Sequence, residues 1–216
     1  DIRRPSESAH KKLNYINVDI LDYPSVCAAI DGHRFVYLFS GIADIAEARK
    51  NYINALRLNI LGSINVFNAC VGANVERILY ASTKYVYSEH GSFYRASKQS
   101  AETILETFSK EFSLNYTILR YGSIYGPRSQ GWNGLRRYVR EILKTGRMTY
   151  WGDGSEKRDY IHVCDAAQMS VLVMNEKYVN MAVTITGQQS LNAKELIDLL
   201  FEVTGKNKVY EFTGND

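Results

Sequence analysis

Tyr94 and Lys98 are four residues apart, in a segment that is predicted to open a helix. At this spacing both side chains lie on one helix face. A neighbouring ammonium stabilises a phenolate, so the pair predicts a tyrosine whose pKa is lowered enough for general acid or base work. The simpler alternative is a tyrosine and a lysine on an ordinary amphipathic helix, because this spacing is common by chance.

Two further motifs flank the pair. Residues 81–87 (Ala-Ser-Thr-Lys-Tyr-Val-Tyr) precede it, and residues 119–128 (Leu-Arg-Tyr-Gly-Ser-Ile-Tyr-Gly-Pro-Arg) follow it. In this order the three motifs resemble the extended short-chain dehydrogenase/reductases. More narrowly, they resemble the NAD-dependent nucleotide-sugar epimerases and dehydratases, of which UDP-glucose 4-epimerase is the best-known type.

The resemblance implies an α/β fold with a doubly wound parallel, Rossmann-like sheet. In that arrangement residues 1–128 form a partial dinucleotide-binding domain, and residues 129–216 form a smaller substrate-binding lobe. Exchange of strands between the two parts is left open.

The resemblance also assigns catalytic roles. Tyr94 would remove a sugar hydroxyl proton, Lys98 would lower the pKa of that tyrosine and hold the nicotinamide ribose, and Thr83 would share the proton relay. The implied activity is an NAD-dependent epimerisation through a transient 4-keto sugar. In the dehydratases an Asp-Glu pair follows this threonine, whereas Lys84 and Tyr85 follow it here, which argues against dehydration.

The family's glycine-rich loop has no counterpart in this sequence, whose first glycine is Gly32. In the family, that loop brings backbone N–H groups to the cofactor pyrophosphate. We therefore expect that the chain lacks the first strand, the first helix and the second strand. In that register Asp1 would bind the adenosine ribose and favour NAD over NADP, although Arg3 and Arg4 weaken this preference.

We expect other cofactor contacts at the carboxyl ends of the buried parallel strands, because sheets of this kind bind ligands there. Asn59 would either reach the cofactor or brace the backbone of the site. By resemblance, the cofactor-binding set is Asp1, Asp19, Ile20, Phe39, Ser40, Gly41, Asn59, Ser82, Tyr94, Lys98 and Tyr121. The substrate-binding set is Ser123, Asn133 and Arg158, the last because a guanidinium fork suits diphosphate oxygens.

Local patterns predict the elements that position these residues. Residues 13–18 alternate as a strand does, and residues 47–73 have the apolar spacing of one long helix. Candidate helix caps are Asp22, Ser92, Asp165 and Asn192, and Gly205 is placed to end the last helix.

Composition narrows the class of protein. The 216 residues carry a net charge of +3, which is too small to indicate a nucleic-acid partner. Three separated cysteines favour reduced thiols over a disulfide framework or a metal site. The sequence has no signal peptide or membrane-spanning run, so a cytoplasmic protein is expected.

The partner implied by resemblance is a nucleoside-diphosphate sugar, most simply a UDP-sugar. A homodimer through the helices containing Asn59 and Tyr94 is also implied. Two other functions stay open: an NAD(P)-dependent reductase or dehydrogenase of a related carbonyl compound, and a non-catalytic fragment or relative that only folds and associates.

Overall fold

The structure is a computed structural model that describes residues 14–214. The predicted roles of Asp1, Arg3 and Arg4 lie outside the described residues. The strands are β1 (Phe35–Leu38), β2 (Arg77–Thr83), β3 (Tyr116–Tyr121), β4 (Ser123–Tyr125), β5 (Met148–Tyr150), β6 (Lys157–His162), β7 (Met181–Ile185), β8 (Ser190–Asn192) and β9 (Tyr210–Phe212). The α-helices are α1 (Tyr23–Ile30), α2 (Ile45–Lys50), α3 (Tyr52–Leu56), α4 (Gly62–Gly72), α5 (Ser92–Phe112), α6 (Gly134–Thr145), α7 (Val163–Leu172) and α8 (Ala193–Thr204).

The largest sheet has the strand order β1-β2-β3-β7, and β1 runs parallel to β2 with Phe35 opposite Arg77. Two smaller sheets have the orders β4-β6-β8 and β5-β9. Buried parallel strands with helices between them are what the sequence predicts, so the α/β, Rossmann-like fold class is confirmed.

The chain divides into two compact units. Among residues 14–214, the first contains residues 14–120 and 173–183, and the second contains residues 121–172 and 184–214. The predicted division at residue 128 stays a prediction. The compact units divide after residue 120, and residues 173–183 belong with the first unit, an exchange between the two parts that the prediction left open.

Each unit has its own apolar core. In the first unit, Phe67 on α4, Tyr80 on β2 and Leu105 on α5 are fully buried together. In the second, Ile142 on α6 and Phe201 on α8 are buried in the same way. The core of the first unit is what fixes β2 against α5, the two elements that carry the predicted catalytic residues.

The predicted single helix over residues 47–73 is wrong in detail. The segment contains α2, α3, a π-helical turn (Arg57–Leu61) and α4. The apolar spacing continues through all of them, and so periodicity does not reveal the break. A π-helical turn inside helical sequence is often found at functional sites, and this one contains Asn59.

The predicted strand over residues 13–18 is not formed among residues 14–18, which pair with no other strand that the structure describes. Alternation of apolar and polar residues indicates a strand only where a neighbouring strand is present to pair with it.

The helix caps are partly as predicted. Asn192 and Glu195 form a capping box at α8, and Gly205 ends that helix in the left-handed conformation. Asp22 occupies the N-cap position of α1 without a side-chain cap bond. Ser92 and Asp165 are not caps, because α5 and α7 begin at or before them.

Candidate active site

One buried face of α5 carries three ionisable side chains. Tyr94, Lys98 and Glu102 follow one another at successive helical turns and are 9%, 6% and 5% exposed. Residues four apart on a helix are neighbours on its surface. The helix therefore presents a phenol, an ammonium and a carboxylate in one row.

The Lys98 ammonium is tied to β2. Its Nζ donates a hydrogen bond of 2.8 Å to the Ala81 carbonyl and lies 4.8 Å from the centre of the Tyr80 ring. Burial lowers the pKa of Lys98 to about 8, while the negative charge of Glu102 acts to raise it. Burial has the larger effect because it removes the water that stabilises the charged form.

The Tyr94 phenol does not have the lowered pKa that the sequence predicts. Burial raises the pKa of Tyr94 to about 12, a hydrogen bond with the Thr83 side chain acts to lower it, and the nearby Tyr85 phenol raises it further. The expectation that Lys98 would dominate this pKa is corrected here. In this structure the loss of water around the phenol outweighs the opposing effect of Thr83 on the pKa of Tyr94.

Thr83 ends β2 at the point where the chain turns into a short 3-10 helix (Lys84–Tyr87). Its Oγ1 accepts a bond of 3.2 Å from the Tyr85 backbone N–H, and its hydroxyl is the hydrogen-bond partner of Tyr94. The strand thus brings the predicted threonine to the predicted tyrosine. Lys84 is exposed and Tyr85 is half-buried beside them.

The loop that leads into α5 has a strained backbone. Gly91 has φ +102° and Ser92 has φ +48°. A Cβ at Gly91 would come within 3.0 Å of the Arg95 Cβ. Arg95 donates to the Ser88 carbonyl and Gln99 donates to the Val86 carbonyl at 2.9 Å, so α5 itself holds the loop.

Asn59 is fully buried and braces the backbone of the site. Its Oδ1 accepts from Ile42 N at 2.8 Å, and its Nδ2 donates to Ile42 O at 3.0 Å and to Ser97 Oγ at 2.9 Å. Ser97 in turn donates to the Tyr94 carbonyl at 2.8 Å. A Cβ at Gly41 would lie 2.5 Å from Asn59 Oδ1, which explains the glycine there. Of the two predicted roles, this geometry supports bracing over direct cofactor contact.

Ser97 was missed by the sequence analysis. Nothing in residues 94–98 distinguishes this serine from an ordinary helical one, and only its position between Asn59 and Tyr94 gives it a role. Glu102 and Arg120 were missed in the same way: Arg120 Nη2 lies 2.5 Å from Glu102 Oε2 in a largely buried ion pair.

The carboxyl ends of β1 and β2 offer groups that fit a bound dinucleotide. Ser82 Oγ is buried and has no hydrogen-bond partner among the described residues. Phe39 is 57% exposed and Gly41 is exposed, so this turn presents an aromatic face and bare backbone. Such an orphaned hydroxyl at a strand end is what a ligand would satisfy.

Two of the predicted cofactor-binding residues, Asp19 and Ile20, lie at the start of the described chain. Asp19 is exposed and its Oδ1 accepts from Leu21 N at 2.9 Å. Ile20 is half-buried, with its carbonyl accepting from Asn65 Nδ2 at 2.9 Å. Both assignments stay predictions.

Four predicted site residues belong to the second unit. Tyr121 is 8% exposed with its hydroxyl 2.5 Å from Ser170 Oγ, so only a small part of its ring is available to a nicotinamide. Asn133 caps α6 and donates to the Ile124 carbonyl at 3.0 Å. Ser123 is half-buried on β4 and Arg158 is exposed on β6. These roles stay predictions.

The sequence profile of the NAD dependent epimerase/dehydratase family matches residues 2–185. The chain therefore belongs to this NAD-dependent epimerase/dehydratase family, as the motifs indicate, and NAD is the cofactor that this membership assigns to it. The buried, unpartnered Ser82 hydroxyl and the exposed turn after β1 fit that cofactor.

Solved structures share this fold. The chain is similar to a UDP-glucose 4-epimerase from Thermotoga maritima with UDP-glucose, at TM-score 0.83 and 26% identity over 95% of this chain and 75% of that one. It is also similar to a UDP-glucuronic acid 4-epimerase from Bacillus cereus in complex with UDP-glucuronic acid and NAD. There the TM-score is 0.88 and the identity 22%, over 96% of this chain and 70% of that one.

Relatives by sequence include dehydratases. A dTDP-glucose 4,6-dehydratase from Streptomyces griseus is 25% identical, over 91% of this chain and 63% of that protein. The chain spans 52% to 68% of the length of four curated relatives that it matches.

Within residues 14–214, no helix is both long and apolar enough to cross a membrane. The same residues contain no group of three or more His, Cys, Asp or Glu side chains that could hold a metal ion.

Proposed function

We propose that the protein is an NAD-dependent epimerase of a nucleoside-diphosphate sugar. The observation that carries this proposal is the Tyr94 phenol, which is hydrogen-bonded to Thr83 and set one helical turn from the Lys98 ammonium. Family membership supplies the cofactor.

In this mechanism Tyr94 takes the proton of the sugar hydroxyl, and Thr83 relays it through the hydrogen bond that the two share. The ground-state pKa of about 12 makes an unassisted phenolate rare near neutral pH. Approach of a positive charge would lower that pKa, and Lys98 is the cation fixed on the same face. Bound NAD supplies the acceptor and donor of hydride at the sugar carbon.

Other residues of the first unit would hold the cofactor. The groups placed for this are the unpartnered Ser82 hydroxyl, the exposed Phe39, Gly41 and Asp19, and the half-buried Ser40. Lys98 would keep one donor on Ala81 and offer others to the nicotinamide ribose. Asn59 and Ser97 would fix the backbone at both ends of this surface.

The residues after Thr83 favour epimerisation over dehydration. Lys84 and Tyr85 occupy the places where the dehydratases carry an acid and a base, and neither of them is a carboxylate. A water elimination needs a group that donates a proton to the leaving hydroxyl and another that removes a carbon-bound proton. The pair here lacks the carboxylate base.

The sugar nucleotide is proposed to be a UDP-sugar that Arg158 holds through its diphosphate. Ser123 and Asn133, which belong to the same unit, are the other proposed substrate-binding residues. The solved relatives are complexes with UDP-glucose and UDP-glucuronic acid. The exposed guanidinium of Arg158 has the planar donor geometry that phosphate oxygens favour.

We also propose a homodimer through the helical segments that carry Asn59 and Tyr94. Apolar side chains on this surface are exposed, and the Tyr52 and Phe93 rings stack at 4.8 Å. The exposed set is Tyr52, Ile53, Leu61 and Phe93. Light scattering of the wild type and of Ile53→Glu tests this, because a charge in a dimer interface should shift the mass to that of a monomer.

The first experiment measures NAD and NADP binding to the 216-residue chain by calorimetry, beside a version extended at its amino end. Micromolar NAD binding to the extended version, followed by inversion of a UDP-sugar without accumulation of NADH, supports the epimerase. Accumulating or consumed NADH indicates a reductase or dehydrogenase instead. Binding of neither nucleotide to either version would sink the enzyme proposal and favour a chain that only folds and associates.

A further inference from the structure

Among the residues that the structure describes around Lys98, one side chain is a carboxylate, that of Glu102. Side chains from three elements either face the Lys98 ammonium or contact a residue that does. They are Tyr80 and Thr83 on β2, Tyr94 and Glu102 on α5, and Arg120 on β3. Among them only Glu102 carries a negative charge near neutral pH. Its effect on Lys98 opposes that of burial.

The Glu102 carboxylate is bonded to Arg120. Arg120 Nε donates to the two oxygens at 3.1 Å and 3.2 Å, and Nη2 donates to Oε2 at 2.5 Å. Lys98 Nζ meanwhile donates to the Ala81 carbonyl. The Glu102 oxygens thus accept hydrogen bonds from Arg120, whereas the effect of Glu102 on the Lys98 ammonium is a Coulomb attraction without a hydrogen bond.

Arg120 also reaches the turn that follows Thr83. Its Nη1 donates to the Tyr87 hydroxyl, and its guanidinium carbon lies 4.8 Å from the centre of the Tyr87 ring. Tyr87 is the last residue of the 3-10 helix that begins after Thr83. One guanidinium therefore links the row of ionisable groups on α5 to the segment that holds the relay threonine.

We propose that Glu102 is a positioning residue that keeps the Lys98 ammonium charged, and that Arg120 holds the Glu102 carboxylate away from direct pairing with Lys98. A direct ion pair would occupy ammonium donors that a bound ligand needs, since an ammonium has only three. The role of Lys98 rests on the proposed function; the charge relation between the three residues does not.

The decisive measurement is the titration of Lys98, followed by NMR of lysine labelled with ¹³C at Cε in the full-length protein. Lys98→Met identifies the signal by its loss. In wild type we expect a midpoint of about 8. In Glu102→Gln it should fall by about one pH unit or more, because the nearest opposing charge is gone.

Glu106→Gln is the matched control, since it makes the same change one helical turn further along α5. It should leave the Lys98 midpoint within about 0.3 pH units of wild type, because the added turn weakens the Coulomb interaction. An unchanged midpoint in folded Glu102→Gln would overturn the proposal, as would an equal fall in both variants.

Arg120→Met provides a test of opposite sign. Released from Arg120, the Glu102 carboxylate is free to pair with Lys98, so the midpoint should rise. If the Glu102–Arg120 pair had a purely structural role, Glu102→Gln and Arg120→Met would not move the Lys98 midpoint in opposite directions. If a single variant does not fold, the double variant Glu102→Gln with Arg120→Met removes both buried charges, and there the midpoint should still fall. A rise or no change in the double variant overturns the proposal.

Activity gives a second readout. The high-pH limb of kcat/KM for a UDP-sugar should move to lower pH in Glu102→Gln by the same amount as the NMR midpoint. Failure of the two proposals can be told apart. If no nucleotide sugar is turned over but the midpoints shift as described, the proposed function fails and the charge relation stands. If wild type is active and the midpoints do not shift, the proposed function stands and the proposed charge relation fails.

Discussion

The candidate catalytic residues of the first unit and the candidate diphosphate-binding arginine of the second unit lie in opposite environments. In the first unit Tyr94, Lys98 and Thr83 are at most 9% exposed and are held by hydrogen bonds to their neighbours. In the second unit Arg158 is exposed and Ser123 is half-buried. Buried polar groups must be satisfied by the protein itself, so the first set is fixed in advance, whereas exposed side chains can adapt to a ligand.

Substitutions in the two sets should therefore have different effects. Changes in the first set should alter chemistry or stability because the groups are locked into the core. Changes in the second should alter binding with little effect on the fold. Substitutions in each set test this division.

Tyr94→Phe should remove activity while leaving the fold and NAD binding intact. The ring remains to fill the buried site, and only the hydroxyl that shares a proton with Thr83 is lost. General acid–base catalysis contributes about 10²–10⁴-fold, so turnover should fall by about that factor. Tyr178→Phe, in the same unit, is the control and should keep full activity. Comparable loss in both variants would mean that the chemistry does not depend on Tyr94.

Asn59→Ala should lower stability by roughly 3 kcal/mol. It leaves the Ile42 N–H and carbonyl and the Ser97 hydroxyl without their buried partner, and each such group costs about 1–3 kcal/mol with partial relaxation. Urea unfolding of wild type and variant measures the difference. Asn65→Ala, which loses one bond to the Ile20 carbonyl, is the matched control and should cost about 1 kcal/mol. Equal losses would contradict the bracing role.

Much of the first unit could be predicted because its signals are local. The buried strands, the Tyr94–Lys98 spacing and the turn after Thr83 are all visible in short windows of sequence. The π-helical turn around Asn59 was not, because apolar periodicity runs through it unchanged. Nor was the Glu102–Arg120 pair, since its partners are joined only by the packing of α5 against β3.

The pKa of Tyr94 could not be predicted from the sequence either. A sequence shows that a lysine is near a tyrosine, but not how much water each side chain loses on folding. Here burial moves the pKa of Tyr94 up and that of Lys98 down, against the direction that spacing alone suggests for the tyrosine. The charge balance of a buried site therefore required the three-dimensional structure.

Lys98→Met should remove a pH dependence of stability. The pKa of Lys98 falls from 10.5 in the unfolded chain to about 8 in the folded protein. The unfolded chain therefore binds more protons between these values, and stability should rise with pH. Between pH 7 and pH 9.5 the change in stability should be about 2 kcal/mol more favourable in wild type than in Lys98→Met. The raised pKa of Cys70 lowers stability above about pH 9, and that of Tyr94 does so above about pH 10. Both act alike in wild type and Lys98→Met, so they cancel in the comparison.

Unfolding in urea at the two pH values measures this slope. Lys110→Met, an exposed lysine on the same helix, is the control and should keep the wild-type rise. If Lys98→Met keeps the rise as well, the buried ammonium is not its source, and the first unit is less tightly fixed than its burial suggests.

Arg158→Ala should have the smallest effect on the fold and a selective effect on the substrate. Its side chain is exposed on β6, so stability should change by less than about 1 kcal/mol. Loss of a charge-assisted contact to a diphosphate should raise the KM for a UDP-sugar by about tenfold, with kcat and NAD affinity little changed. Arg158→Lys keeps the charge without the planar fork and should recover only part of the loss. A fall in kcat instead, with KM unchanged, would show that this residue of the second unit acts in the chemistry. The division between a fixed first unit and an adaptable second one would then be wrong.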